Sequence, residues 1–130
     1  MKILGIGVDI IENKRIKNSI KNDKFKKRIY SQKELKLSTL TINKTSFFSK
    51  RFAAKEAFAK AIGTGFRNNL NFNDIEIIND KSGKPHYTKT KKITKIIQKN
   101  FKVKKFNCFL SISDEKDYST AFTIIQSKWN

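Results

Sequence analysis

Cysteine occurs once in these 130 residues, at Cys108. No internal disulfide can form, and no metal site can be built on a cysteine cluster, a usage that suits a reducing compartment. Acidic residues are also few: 11 Asp plus Glu stand against 29 Lys plus Arg, for a formal charge of +18. Such an excess points to nucleic acid, an anionic membrane or an acidic protein as partner class, without specifying a function. A compositional source stands beside it, because Lys, Asn and Ile are abundant while Gly and Pro number only 5 and 1, a bias that coding rich in A and T produces. Long apolar runs are missing. The amino-terminal stretch ends at the carboxylate of Asp9, too short for a signal-peptide core, and nothing later approaches a membrane span. The expectation is a soluble, cytoplasmic protein with no membrane association.

Also missing are a Walker A loop, a Rossmann glycine fingerprint, a metalloprotease motif and a Ser-His-Asp arrangement. What is present is enough for a core: 38% hydrophobic residues, 11 of them Phe. The length is that of one ordinary domain, and no repeat or Pro, Gly or Ser-rich linker divides it, so residues 1–130 are read as a single domain.

Ile3 to Ile11 is rich in branched apolar residues and reads as a buried strand, with Asp9 near its end. From Asn13 to Tyr30 basic residues alternate irregularly with Ile and Phe. Ser31 and Glu34 then have capping-box spacing ahead of Leu35, Leu37 and Leu40, marking a short helix. Ser46 to Ile62, dominated by Ala, Phe, Lys and Glu and stopped by Gly63-Thr64-Gly65, is the clearest helix. Asn71 to Ile78 reads as a strand, Asp80 to Pro85 as a turn, and Thr90 to Phe101 as an amphipathic helix with its lysines solvated. Two closing segments alternate with period two. Phe106, Cys108, Leu110 and Ile112 share a face of the first, and Tyr118, Thr120, Phe122 and Ile124 share a face of the second. Joined by the polar loop Ser113 to Asp117, they form an antiparallel hairpin, and Phe residues at these spacings are read as core. The order is that of an α+β fold: an antiparallel sheet packed against a long helix and shorter helices.

A carboxylate at a strand end is a rigid ligand for a hard divalent cation, and equally a common way to begin a turn; Asp9 admits both readings. On the long helix, Arg51 and Lys55 fall on one stripe, while Glu56 and Lys60 fall about 140° further round. By spacing alone Glu56 and Lys60 are a surface ion pair contributing only a few tenths of a kcal/mol. The turn Lys81-Ser82-Gly83-Lys84-Pro85 offers backbone N–H groups and lysine to a phosphate, although such turns are common. His86, the only histidine, reads as a half-exposed structural residue, and Cys108 as core filler.

Taken in order, these segments resemble the holo-acyl-carrier-protein synthase branch of the phosphopantetheinyl transferase superfamily. The residues that carry the resemblance are Gly5 to Glu12, Arg15-Ile16, Arg51 to Gly65, Lys81 to Pro85 and Leu110 to Tyr118. They span most of the chain, and the long-helix motif is the specific one. The resemblance implies an enzyme that moves 4'-phosphopantetheine from coenzyme A to a serine of apo acyl carrier protein, releasing adenosine 3',5'-bisphosphate, for fatty acid biosynthesis. It implies that Asp9 and Glu56 bind Mg²⁺ and that Lys60 positions or neutralises the phosphate. Glu56 would accept the serine proton, directly or through metal-bound water. It further implies coenzyme A contacts at Arg51, Lys60, Gly83, Lys84, Pro85 and Ser113, a homotrimer with sites at subunit interfaces, and Arg15 as the contact for the acidic carrier protein. Many relatives carry histidine where this chain has Asp114, so no role for that histidine transfers.

A small basic nucleic-acid-binding module is the competing reading, based on charge and Phe content. No RNA-recognition, KH or zinc-finger signature supports it, so the expectation excludes nucleic acid as partner. A family member that has lost activity would be expected to lose its metal residues, yet Asp9, Glu56 and Lys60 are all present.

Overall fold

The computed structural model describes residues 1–67 and 69–129. Its elements in chain order are β1 (Ile3–Glu12), α1 (Asn13–Ser19), α2 (Asp23–Ile29), α3 (Gln32–Ser38), α4 (Lys44–Ile62), a 3-10 turn (Phe72–Asp74), β2 (Ile77–Asn79), β3 (Pro85–Tyr87), α5 (Lys91–Phe101), β4 (Phe106–Asp114) and β5 (Tyr118–Ser127). The three long strands form an antiparallel sheet in the order β1-β5-β4, and β2 pairs with β3 in a separate hairpin. This is the expected α+β arrangement, with α4 laid across one face of the large sheet. Among the described residues no helix is long and apolar enough to cross a membrane.

Local chemistry accounts for most boundaries. Ser31 and Glu34 close both halves of the capping box that starts α3, and Thr90 caps α5 through the Ile93 N–H. Gly63, at φ 91°, ends α4 in the left-handed conformation that glycine adopts at low cost. Asn43 caps α4, so that helix begins two residues earlier than the sequence implies. The basic stretch 13–30 contains two short helices, the second capped by Asn22 through the Phe25 N–H. Leu40 lies beyond α3 and is exposed.

Two expectations need correction. The strand expected over Asn71 to Ile78 survives only from Ile77, because Asp74 turns back to accept the Asn71 N–H and winds the preceding residues into a 3-10 turn. The second concerns the sheet faces. On β5 the side chains turned towards α4 are Ser119, Ala121, Thr123 and Ile125, whereas Tyr118 and Phe122 face away, with Phe122 42% exposed. β1 behaves likewise: Ile6, Val8 and Ile10 are 57%, 56% and 66% exposed, so within one chain the strand is covered on one side only.

The reason lies in how close α4 comes to β1. A Cβ built on Gly7 would sit 1.8 Å from the Ala57 carbonyl oxygen, and one on Gly5 would sit 1.8 Å from that of Ala61. Only glycine permits this approach. Across the sheet, Gly7 pairs with Thr123 and Asp9 with Ala121, so small side chains meet α4 there, alongside the larger Ile11 and Ile125, which are also buried on this face.

Candidate functional site

Alternation along β1 puts Asp9 on the same face as Gly5 and Gly7, at the edge of the sheet where α4 lies closest. Lys60 reaches back from α4 and donates to the Val8 carbonyl at 2.9 Å and to Asp9 Oδ1 at 3.1 Å. Glu56, one turn earlier on the same stripe, is half-buried. Its carboxyl is held above the usual range first by burial and then by the charge of Asp9, with Lys60 and Arg15 pulling the other way. Arg15, exposed on α1, thus acts on the same carboxylate. The structure therefore brings Asp9, Glu56, Lys60 and Arg15 together.

Two carboxylates that repel each other beside a lysine form a site that a cation relieves. The donors are hard oxygens, which suit Mg²⁺. Among the described residues no three His, Cys, Asp or Glu converge on one point. Two protein ligands would leave most of the octahedral shell to phosphate oxygens and water, the usual division at magnesium–phosphate sites.

The remaining candidates lie elsewhere. Arg51 and Lys55 face away from β1, as the helical spacing requires, and meet Glu34 of α3. Lys55 Nζ lies 2.7 Å from Glu34 Oε1 and Arg51 Nε lies 3.8 Å from Oε2, all three residues being buried. Arg51 opens onto a cleft of about 540 Å³ whose lining includes Lys33, Lys50, Leu37 and Asn79. Gly83, Lys84 and Pro85 form the β2–β3 turn and the start of β3, and Ser113 lies near the end of β4 with its side chain exposed. Three backbone N–H groups of the turn are already engaged, those of Ser82 and Lys84 with the Asp80 side chain and that of Gly83 with the Asp80 carbonyl, which leaves the Lys81 N–H and the lysine side chains for an anion. His86 is engaged with Asp80 Oδ2 at 3.0 Å, in keeping with a structural role. Asp114 accepts from the Ser46 hydroxyl. Burial pushes the Cys108 thiol up to about 12, which leaves it protonated and poorly nucleophilic.

The candidates thus form two groups. Asp9, Glu56, Lys60 and Arg15 lie at the β1 edge, while Arg51 lines the cleft beside β2, Lys84 lies in the β2–β3 turn and Ser113 lies on β4, which β5 separates from β1. Glu34 was not singled out as a functional candidate. Its capping-box spacing was visible, but its contact with two cations on another helix was not.

A family model described as the 4'-phosphopantetheinyl transferase superfamily matches residues 5–123. The chain belongs to this superfamily. Among curated relatives, a holo-[acyl-carrier-protein] synthase of Pelagibacter ubique is 64% identical over 128 residues, covering 98% of this chain and all of the relative. Among solved structures, the holo-[acyl-carrier-protein] synthase of Neisseria meningitidis superposes with a TM-score of 0.87 at 37% identity, covering 96% of this chain and 99% of that one. The enzyme of Bacillus anthracis, solved in complex with coenzyme A (3',5'-ADP), superposes with a TM-score of 0.81 at 35% identity, covering 98% and 100%. These likenesses extend over the sheet, α4 and both groups of candidate residues.

Proposed function

We propose that this chain is a transferase that moves the 4'-phosphopantetheine group of coenzyme A onto a serine of apo acyl carrier protein, giving holo carrier protein and adenosine 3',5'-bisphosphate. The observation that carries this reading is the convergence of Asp9, Glu56 and Lys60 at the β1 edge of a chain from this superfamily. The serine oxygen forms a bond to the phosphorus nearest the pantetheine, the pyrophosphate P–O bond breaks, and the departing nucleotide keeps the electron pair. Glu56 would take the serine proton, directly or through metal-bound water. Lys60 sets its positive charge beside the carboxylates and neutralises phosphate oxygens as charge builds on them. Asp9 and Glu56 would hold Mg²⁺, which would supply positive charge to offset that building on the phosphoryl and leaving groups. No residue need form a covalent intermediate.

The assembly is a homotrimer, as the family resemblance implies. Its support is the apolar outer face of the sheet, with Ile6, Val8, Ile10, Phe109 and Phe122 all substantially exposed in the single chain. The separation of the two candidate groups favours the same reading. Asp9, Glu56 and Lys60 of one subunit would share a coenzyme A with Arg51, Lys84 and Ser113 of the next. Arg15 stands at the rim of the first group, where a cation would steer an acidic carrier protein towards Glu56. Residues 1–130 act as one domain, in the cytoplasm, in service of fatty acid biosynthesis.

The deciding experiment incubates purified protein with Mg²⁺, coenzyme A and apo acyl carrier protein, and reads the carrier by mass spectrometry. The expected result is a gain of one phosphopantetheinyl group, lost on chelation of the metal. An unchanged mass with several carrier proteins would overturn the assignment.

A further inference from the structure

Arg51 is 5% exposed, and its buried Nε has no hydrogen-bond partner among the described residues. Burial of a charge so poorly matched is costly unless a counter-charge is close. That counter-charge is Glu34, itself fully buried. Its carboxylate is already occupied: Oε1 accepts from the Ser31 N–H at 2.9 Å and from Lys55 at 2.7 Å, and Oε2 accepts from the Ile77 N–H at 3.0 Å. Glu34 therefore attracts Arg51 at 3.8 Å without consuming its donors. The Phe47 ring, 3.8 Å from the guanidinium carbon, fixes the plane of the group from one side. What results is a charged, oriented fork of donors at a cleft that also has Lys33 and Lys50 in its lining.

Lys55 uses the same carboxylate to clamp the 3-10 segment, donating also to the Phe72 and Ile75 carbonyls. Through the Ile77 N–H, Glu34 reaches the strand that leads to the Lys84 turn. One side chain thus ties α3, α4 and β2 around the cleft.

We propose that Glu34 is a positioning residue for coenzyme A, acting through Arg51: by facing the buried Nε it holds the guanidinium at the cleft wall and leaves the Nη donors for an anionic group of the substrate. This rests on the transferase reading above. The rival role is structural only, with Glu34 serving merely to neutralise Lys55.

The test compares Lys55→Met with the double variant Lys55→Met/Glu34→Gln. Both lose the lysine clamp, and only the second deprives Arg51 of its carboxylate. The expected result is a KM for coenzyme A near the unmodified value in the first and raised about tenfold in the second, the scale of a lost charge-assisted contact. The carrier-protein KM should be unchanged in both. With Arg51→Met added, the Glu34→Gln step should have no further effect, since residues acting as one unit are not additive. Phe47→Leu, which alters no charge, should raise the same KM in the same direction. An unchanged coenzyme A KM in the double variant, equal rises in both KM values, or a Glu34 effect that persists without Arg51 would each overturn the proposal. Calorimetric binding of coenzyme A reads the same comparison without turnover, so failure of transfer by the unmodified protein would refute the functional reading separately.

Discussion

Replacing Gly7 by Ala tests the link between packing and chemistry most directly. The added Cβ would lie 1.8 Å from the Ala57 carbonyl oxygen and 2.8 Å from the Ala61 amide nitrogen. Both are backbone atoms of α4, so no side chain can swing aside. Ordinary contact begins at 3.4 Å, so strand and helix must separate by about 1.6 Å at this point. Overpacking of this kind costs about 3 kcal/mol, at the upper end of the usual range because the obstacle is backbone. Because Glu56 and Lys60 ride on the displaced helix and Asp9 on the strand, a shift of this size should lower turnover about 100-fold. Chemical denaturation gives the first number and carrier-protein mass spectrometry the second. Gly65→Ala is the control: nothing lies within 4 Å of its added Cβ, but at φ +63° it should cost only about 1 kcal/mol of backbone strain, without pressing α4 away from β1. A Gly7→Ala protein with unchanged stability and full turnover would refute the reasoning, as would equal losses from the two substitutions.

Val8→Glu puts a charge on the outer sheet face, opposite Phe122; sedimentation should show loss of the proposed trimer with secondary structure retained, and an assembly that persists would count against that face. Arg15→Ala removes a cation that favours ionised Glu56, so the acid limb of the kcat/KM profile should move to higher pH while the KM for the carrier protein rises and loses salt sensitivity. Glu56→Gln should abolish most turnover yet stabilise the metal-free protein at neutral pH. A carboxyl whose folded pKa exceeds its unfolded value of 4.5 costs stability as pH rises through that window, and the gain should vanish below it.

The meeting of Asp9, Glu56 and Lys60 at the β1 edge is legible because it rests on two local rules, a carboxylate late in a strand and an i, i+4 pair on a helix. Their convergence needed only the order of elements and the family motif. The split between Glu56 and Arg51 was legible too, since helical geometry alone turns them about 140° apart. Glu34 was not, because the same Ser-x-x-Glu spacing that starts α3 carries no mark of the Lys55 ammonium on another helix. The faces of β5 were misjudged for a different reason. Alternation gives a period but not which side is inside, and on β5 the set packed under α4, Ser119, Ala121, Thr123 and Ile125, is less hydrophobic than the set turned away.

That last point joins the site to the assembly. Glycine at positions 5 and 7 lets α4 rest directly on β1, and this contact sets how far Glu56 and Lys60 stand from Asp9. The same contact leaves room only for glycine at positions 5 and 7, and the apolar residues that alternate with them, Ile6, Val8 and Ile10, are turned outward beside Phe122. An apolar run that reads as a strand buried on both sides is then satisfied only when another surface covers the second side. A substitution that loosened the helix from the strand would therefore disturb the spacing of Asp9, Glu56 and Lys60 and, by letting β1 and β5 shift or retwist, the outer face on which we propose that subunits meet. Gly7→Ala should consequently weaken assembly as well as turnover, although position 7 carries no side chain on that face. If the subunits of Gly7→Ala associated as tightly as the unmodified protein while turnover fell, the two effects would be separable, and the glycines would serve the active site alone.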